Sequence, residues 1–562
     1  MMLRPTALAL TCVMTSLAWA TEGVMRYPAN HGAESNGITT ASEARKAGVI
    51  SLIIKRREGT ASVADKVGAL VSREWDNHEV IQVPAGQADA IRALLAITDG
   101  VASVEEDSVV TPPEPQPVTA MEEDLDTQTL YVSSSDSGPN DPEYDNQFWW
   151  RKASTYGGAS GVEDAWVLSE QHERLSIVVI DGGFDNHEDF SWKGGISLVG
   201  DGRGYLSYDE SSCSSYHGQS VVSIIGATQN NGIGMAGMVE ADFYAARALA
   251  CDNSGYMSDV ARAIRWAAGE DIGEGTPLSE PADIVNLSLG ADTICTQSLQ
   301  SAINKANDQG VMVVASAGNN SEDAQDYSPA GCNHVVTVGA VTLRGDQTTF
   351  SNHGDTLDVS AFGQQVRVQG PDGHRWMSGT SFSAPITSGI LGLIRQDIPQ
   401  LDPDTLRSLV LPATTPFGQT TEPMGAGVPN GPDFQEEVAS LLDNEAASLH
   451  HAMAARNARQ GAFFEHLGES RLCKFYEFTA NEQGREEAEK FTIFEVAAGE
   501  AMTVGNGDAI KASGQRRFLL RNLQPADYRY GLQLCEDDSS CRSNELLQMD
   551  TRELAAPDRC AS

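Results

Sequence analysis

Short apolar runs alternate with helix-length amphipathic segments through the middle of the chain. LSIVVI, ADFYAARAL, ADIVNLSLG, VMVVASAG and HVVTVGAV read as strands buried on both faces, and SVVSIIGAT, SDVARAIRWAAG and TQSLQSAINKANDQG as the helices between them. From about Asn140 to about Pro432 this pattern predicts an α/β domain on a parallel sheet, with its site at the carboxyl ends of the strands. Ahead of it, AGVISLIIKRREG predicts a strand, ASVADKVGALVSREW a helix, HEVIQVPAG a strand, QADAIRALLAITDG a helix and VASVEED a strand. That small α+β unit ends near Val110. Residues 111–139, rich in Pro, Ser and acids, read as an exposed linker. From Asp433 the chain is helical in pattern at first (DFQEEVASLLDNEAASLHHAMAARNARQ). It then alternates as strands do in KFTIFEVAAGE and YRYGLQLCE, which predicts a helical connector and a small β-rich C-terminal domain over 433–562.

Length and composition sharpen this division. A chain of 562 residues exceeds one ordinary core, so several domains are expected. Its first 20 residues carry Arg4, an apolar run and Ala18-Trp19-Ala20, the layout of a cleaved signal peptide (1–20). A lipid anchor at Cys12 is the rival, but ALTC is a poor lipobox. The expected destination is extracellular, by way of a periplasm where one exists. No later apolar stretch is long enough to span a bilayer. A formal charge of -40 excludes phosphate-binding partners, so neither nucleic acid nor an anionic membrane is expected. Cys12 leaves with the signal; the other cysteines fall into two groups of four, Cys213, Cys251, Cys295 and Cys332, then Cys473, Cys535, Cys541 and Cys560. Even groups in an exported protein point to disulfides within each, and none has zinc-ligand spacing.

Three local contexts carry chemistry. Asp181 ends an apolar strand in LSIVVIDGGFDNHEDF, His217 opens a helix in SSYHGQSVVSIIGA, and Ser381 opens another in MSGTSFSAP. Taken singly, each residue is ordinary: a strand-end acid caps a turn, and Gly-Thr-Ser starts helices. Together they supply an acid, an imidazole and a hydroxyl in the order Asp, His, Ser, the parts of a nucleophilic triad.

With VVIDGGFD, HGQSVVSIIGA, ARALACDNSGYMSDVARAIRWA, VNLSLG, VVASAGNNSEDAQDYSPAGC and GTSFSAP in one order, the chain resembles the subtilisin family (subtilases, peptidase S8) of serine proteases. The likeness covers roughly Asn140 to Asp397 and is nearest the proteinase K and thermitase-like branches. It implies a subtilisin-like α/β catalytic domain at 140–432, an inhibitory prodomain at 21–110 ending in VEED (Val104 to Asp107), and an autocleavage site in the linker. The implied enzyme is a monomeric, self-processing endopeptidase acting on proteins and peptides, with its own prodomain as an intramolecular inhibitor. Ser381 would be the nucleophile, His217 the general base and acid, Asp181 its orienting partner, and Asn319 an oxyanion donor beside the Ser381 N–H. Asn253, Ser254 and Gly255, with Ser288, Leu289 and Gly290, would sandwich an extended peptide. Ala317 and Gly318, with Ala315 and Ser316, would line a pocket for apolar or aromatic side chains.

The same resemblance implies pairs Cys213 with Cys251 and Cys295 with Cys332. It also implies structural Ca²⁺ held by Asp141, Asp189, Asn231 and the carbonyls of Thr228, Ile233 and Met235. A second calcium site would use Asp358 with the carbonyls of Asn333 and Val335. Pro385 is expected near the first helical turn, where a missing N–H costs least, with Ile386, Ile390, Leu393 and Ile394 anchoring the helix. Departures from the family pattern are Gly182 after the aspartate, and Gln219, Val222 and Ser223 after the histidine. A catalytically silent binding or adhesion protein on this fold would have no reason to keep all four catalytic positions. An α/β-hydrolase esterase would need a G-x-S-x-G elbow and the order Ser, Asp, His.

Overall fold

The computed structural model describes residues 40–69, 71–114, 116, 138–150, 156–162, 175–397, 402–410 and 414–430, together with the backbone of six strands between 474 and 554. The signal peptide, residues 21–39, most of the linker, the helical connector, Cys473 and Cys560 lie outside the described residues.

The N-terminal unit is an antiparallel sheet in the order β2-β3-β1-β4, built from β1 (Val49–Arg56), β2 (Val71–Trp75), β3 (His78–Pro84) and β4 (Val101–Glu106). Helix α1 (Ala41–Lys46) precedes it, and α2 (Ala88–Ala96) packs Ile91 and Leu95 against Leu52, Ile54, Ile81 and Val101. One expectation fails here. ASVADKVGALVSREW is not a helix: a single 3₁₀ turn, Ala64–Val67, stops at Gly68 with φ 69°, and β2 follows. From Val71 on, exposed Ser72 and Glu74 alternate with the more covered Val71, Arg73 and Trp75, which is strand periodicity. Helix α1 was not foreseen either, although Thr40 and Glu43 form a reciprocal capping box at its start.

The central sheet has seven parallel strands in the order β15-β14-β12-β10-β6-β8-β7. They are β6 (Leu175–Asp181), β7 (Trp192–Ser197), β8 (Ala241–Arg247), β10 (Ile284–Leu287), β12 (Met312–Ser316), β14 (Val335–Val341) and β15 (Val359–Phe362). Every residue of β10, β12, β14 and β15 is buried, as apolar runs covered on both faces require. Helices α3 (His217–Gly226), α4 (Met257–Ala267) and α5 (Gln297–Asp308) are the three anticipated. Met257, Val260, Ile264, Leu299 and Ile303 of α4 and α5 share one core with Val178, Val285 and Val313 of the sheet. The chain runs outward from β6 to β7 and β8, then returns to place β10 on the other side of β6. The crevice at that reversal, beyond the carboxyl ends of β6 and β10, is where an open α/β sheet binds ligands.

Short pieces finish this region: β5 (Val109–Val110) paired with β9 (Gly255–Tyr256), β11 (Ala291–Asp292) with β13 (Tyr327–Ser328), and the hairpin β16 (Val366–Gly370) and β17 (Gly373–Met377). Helix α6 spans Thr380–Asp397. Disulfides join Cys213 to Cys251 and Cys295 to Cys332, the pairs implied by the family resemblance, with Cα separations of 4.8 and 5.2 Å. No helix among the described residues is long and apolar enough to cross a membrane.

The C-terminal strands are antiparallel. Lys474–Asn481 lies between Glu489–Glu495 and Gln548–Leu554, and Tyr530–Asp537 between Arg517–Asn522 and Ser540–Arg542, with Cys535 opposite Cys541 in register.

Candidate active site

Asp181 and His217 meet at that crevice, and the ring of Phe382, the residue after Ser381, lies 5.9 Å from that of His217. Asp181 is the last residue of β6, fully buried, and accepts the Gly182 N–H at 2.7 Å. His217 is the first residue of α3; its Nδ1–H donates to the Asp181 carboxylate at 2.9 and 3.0 Å. A carboxylate only accepts, so this contact leaves Nε2 as the ring's unprotonated nitrogen. Nε2 is buried and has no hydrogen-bond partner among the described residues. Ser381, second residue of α6, is 1% exposed, and its hydroxyl donates to the Ser288 carbonyl at 3.4 Å instead of to the imidazole.

Three of the four departures noted in the sequence have contacts that bear on them. A Cβ at Gly182 would lie 2.8 Å from both the Cβ and the carbonyl oxygen of Leu249, so no larger residue fits after the aspartate. Gln219 is fully buried and accepts the Asp185 N–H at 3.1 Å. Ser223 accepts the Gln369 N–H at 3.1 Å, and Ser220 donates to the Gln369 carbonyl at 2.7 Å, lacing α3 to β16.

Asn319 is held from behind. Its Oδ1 accepts the Thr380 N–H at 2.9 Å and the Thr380 hydroxyl at 2.8 Å, which fixes Nδ2 on the opposite side. Gly379, at φ 155°, permits this approach, since a Cβ there would stand 2.9 Å from Nδ2. Nδ2 donates at 2.9 Å to the carbonyl of Glu114. Thr380 was missed in the sequence, where it passes for helix-start chemistry.

Glu114 belongs to a stretch of the chain that crosses the cleft. Val109 and Val110 pair antiparallel with Tyr256 and Gly255. Thr111 exchanges both backbone bonds with Gly290 at 3.0 and 2.9 Å, and Gln116 N–H donates to Ser378 at 3.1 Å. Two of the named edge residues, Gly255 and Gly290, therefore border an extended segment; Tyr256 and Ser378 join them unforeseen. Among the described residues, Asn253 and Ser254 do not pair with it. The Asn253 side chain accepts from Ser215, and Ser254 donates N–H and hydroxyl to Asp252 at 3.1 and 2.7 Å, shaping the turn beside Cys251. Leu289, Ala317 and Ser288 are fully buried, and Gly318 turns the chain at φ 103°. Pro385 also needs correction. It is the sixth residue of α6, beyond the first turn, so the carbonyl four residues earlier, that of Ser381, loses its helical donor. The Ser288 hydroxyl donates to that carbonyl at 2.9 Å.

The N-terminal unit is fastened beside the cleft by carboxylates at two helix starts. Asp107 accepts the Ser258 N–H and hydroxyl at 2.9 and 2.7 Å on α4, and Glu105 accepts the same groups of Ser298 at 3.2 and 2.7 Å on α5. Arg73 reaches Asp259 at 2.7 Å. Burial pushes the Asp107 carboxyl up to about 7, against the opposing pull of Arg73 and Ser258.

Asp141 and Asp189 are buried against the loop 228–235. Asp141 accepts N–H groups of Asn230, Asn231 and Gly232 at 2.8, 3.1 and 3.3 Å; Asp189 accepts from Asn231 Nδ2 at 2.9 Å and Met235 N–H at 3.0 Å. Thr228 donates its N–H and hydroxyl to the Asp189 carbonyl, and Ile233 its N–H to Asn231 Oδ1 at 2.7 Å. Burial, with the Asp141 charge adding to it, raises the Asp189 carboxyl to about 6. Two neighbouring buried carboxylates are the chemistry a hard cation such as Ca²⁺ takes, but both here accept loop N–H groups, so holding one would require the Asn231 amide to turn its oxygen inward and loop carbonyls to join it. Of the second set, Asp358 accepts the Thr337 N–H at 2.9 Å, and the Asn333 carbonyl accepts from Gln300 at 3.1 Å.

Comparison with known proteins adds three relatives. The profile of the subtilase family, peptidase S8, matches residues 173–436. The extracellular basic protease of Dichelobacter nodosus is 29% identical over 341 residues, 52% of this chain and 55% of that protein. The extracellular protease of Xanthomonas campestris pv. campestris is 25% identical over 433 residues, 70% of this chain and 73% of that protein. Subtilisin BL of Lederbergia lenta is 30% identical over 264 residues, 46% of this chain and 88% of that protein. The chain thus spans little more than half the length of the first of them.

Proposed function

The chain belongs to the subtilase family, and on that premise we propose that it is an extracellular serine endopeptidase, made as a precursor whose N-terminal unit blocks its own cleft. The observation that carries this reading is the 2.9 Å bond from Asn319 Nδ2 to the Glu114 carbonyl. A peptide carbonyl rests on a side-chain donor beside the mouth of α6, in a strand laid between Gly255 and Gly290.

In this mechanism Ser381 Oγ attacks the carbonyl of an extended peptide, while His217 Nε2 takes its proton and then delivers it to the leaving nitrogen. Asp181 holds the imidazole in the tautomer that leaves Nε2 basic and stabilises the imidazolium. Asn319 Nδ2 and the Ser381 N–H receive the negative oxygen of the tetrahedral intermediate. Binding by main-chain hydrogen bonds reads little sequence, so specificity falls to the pocket at Ala317 and Gly318 and favours apolar or aromatic residues. The N-terminal unit acts as intramolecular inhibitor until the chain cuts its own linker. Asp141, Asp189 and Asn231, with carbonyls of Thr228, Ile233 and Met235, would hold Ca²⁺, which supplies cross-linking of loops, not chemistry.

The test is direct. The secreted protein should hydrolyse casein and lose that activity to a serine-directed inhibitor, while Ser381→Ala should be inactive and accumulate with residues 21 to about 110 attached. Casein hydrolysis by purified Ser381→Ala, or its normal processing with no other protease present, would overturn the proposal.

A further inference from the structure

The reach of Ser288 toward Ser381 is the end of a longer chain. Ser388 Oγ–H donates to Asn286 Oδ1 at 2.8 Å, Asn286 Nδ2 donates to Ser288 Oγ at 3.0 Å, and Ser288 Oγ–H donates to the Ser381 carbonyl at 2.9 Å. Asn286, Ser288 and Ser388 are fully buried and Ser381 is 1% exposed. Each link fixes the next: Ser388 sets which way the Asn286 amide faces, and Asn286 occupies the Ser288 oxygen so that its hydrogen points at Ser381.

We propose that Asn286, Ser288 and Ser388 are positioning residues for the nucleophile, a buried relay that replaces the helical hydrogen bond Pro385 cannot make. The peptide plane carrying the Ser381 carbonyl orients the first turn of α6, and with it both the Ser381 hydroxyl and the Ser381 N–H. With no N–H at position 385, that carbonyl lacks its i+4 helical donor. The relay ties it to the end of β10, the strand beside the one that carries Asp181, so nucleophile and acid are referred to one rigid sheet. An angstrom of misplacement at a nucleophile costs about 10²-fold in rate.

This rests on Ser381 as nucleophile, so the experiment begins by titrating active sites with a serine-directed phosphonylating reagent. Absence of labelling at Ser381 in the parent would bring down the functional reading itself. With labelling stoichiometric, Ser288→Ala is expected to lower kcat on a short peptide substrate about 10- to 100-fold, with little change in KM. Adding Pro385→Ala, which returns an N–H to the helix, should recover most of that loss. Ser388→Ala, remote from substrate and available should Ser288→Ala not fold, should lower kcat in the same sense by a smaller factor. An effect confined to KM, no recovery in the double variant, or an unchanged kcat in Ser388→Ala would overturn the relay.

Discussion

Docking of the N-terminal unit should weaken as pH rises from about 4 to about 7, because of Asp107. Two effects oppose each other at this carboxyl. Burial disfavours its charge, while Ser258 at the start of α4 and the nearby Arg73 favour it; burial wins, and the group titrates at about 7 against an ordinary 3.8. Undocked and in water, Asp107 would ionise at its ordinary value. The docked state therefore binds a proton that the undocked state releases. Its advantage is complete below about pH 4, declines as pH rises through about 7 and stays level above. One proton allows at most a tenfold change per pH unit, about 1.4 kcal/mol. His78, buried in the unit and held down near 4 mainly by burial, works in the opposite direction below its ordinary 6.5. The useful quantity is thus the difference between the parent and Asp107→Asn. Hydrogen exchange of the Ser258–Arg262 amides in the unprocessed Ser381→Ala precursor, corrected for intrinsic rates, reads it without interference from catalysis. Protection should fall with pH in the parent more steeply than with Asp107→Asn. Protection that is flat or rises between pH 4 and 8, alike in both proteins, would mean that the helix start and Arg73 outweigh burial, and the reasoning would fail.

Asn319→Ala should lower kcat by about 10²- to 10³-fold with a small change in KM, measured on a peptide substrate; Thr380→Val, which only releases the amide, should cost less. Chelation by EGTA should lower the melting temperature and bring autolytic cuts into the loop 228–235, followed by calorimetry and fragment masses; an unchanged melting temperature with no calcium by elemental analysis would exclude the site. The carbonyl on Asn319 belongs to Glu114, and the next residue in the sequence is Pro115, whose nitrogen is a tertiary amide nitrogen and would leave as a ring-bound secondary amine, unlike an ordinary leaving group. Pro115→Ala should therefore create a cut after Glu114 in N-terminal sequencing; a parent protein already cut there would refute this.

Four of the five legible strands of the central sheet carry β-branched runs; the fifth, ADFYAARAL, has no β-branched residue. LSIVVI and HVVTVGAV are buried from both sides, and only a covered parallel strand tolerates such a sequence. β7 and β15 were not foreseen. The first interrupts its apolar positions with Gly194 and Gly195, and the second, Val359–Phe362, has one β-branched residue and a serine in four, where the equally short β10 has Ile284 and Val285. ASVADKVGALVSREW shows the converse failure. Val63, Val67 and Val71 recur at a spacing of four and suggest a helix, yet Gly68 in the left-handed region ends the turn and the pairing of β2 with β3 decides the rest.

At the site, legibility followed the kind of work a residue does. Asp181, His217, Asn319 and Ser381 are called for by side-chain chemistry, so their types are constrained and their contexts could be read. Tyr256 and Ser378 act through backbone, which any residue supplies, and Thr380 acts by holding another side chain. Glu105 and Asp107 were visible as a strand ending, but what they cap, α5 and α4, lies more than 150 residues away. Pro385 marks the boundary of what a local rule can deliver. The absence of its N–H identifies the Ser381 carbonyl as the group left without its i+4 helical donor, and that much follows from the sequence once the helix start is known. The donor that answers it, Ser288, is 93 residues distant and appears only when β10 and α6 are brought together. An orphaned group can be deduced from covalent structure; its partner has to be found in the fold.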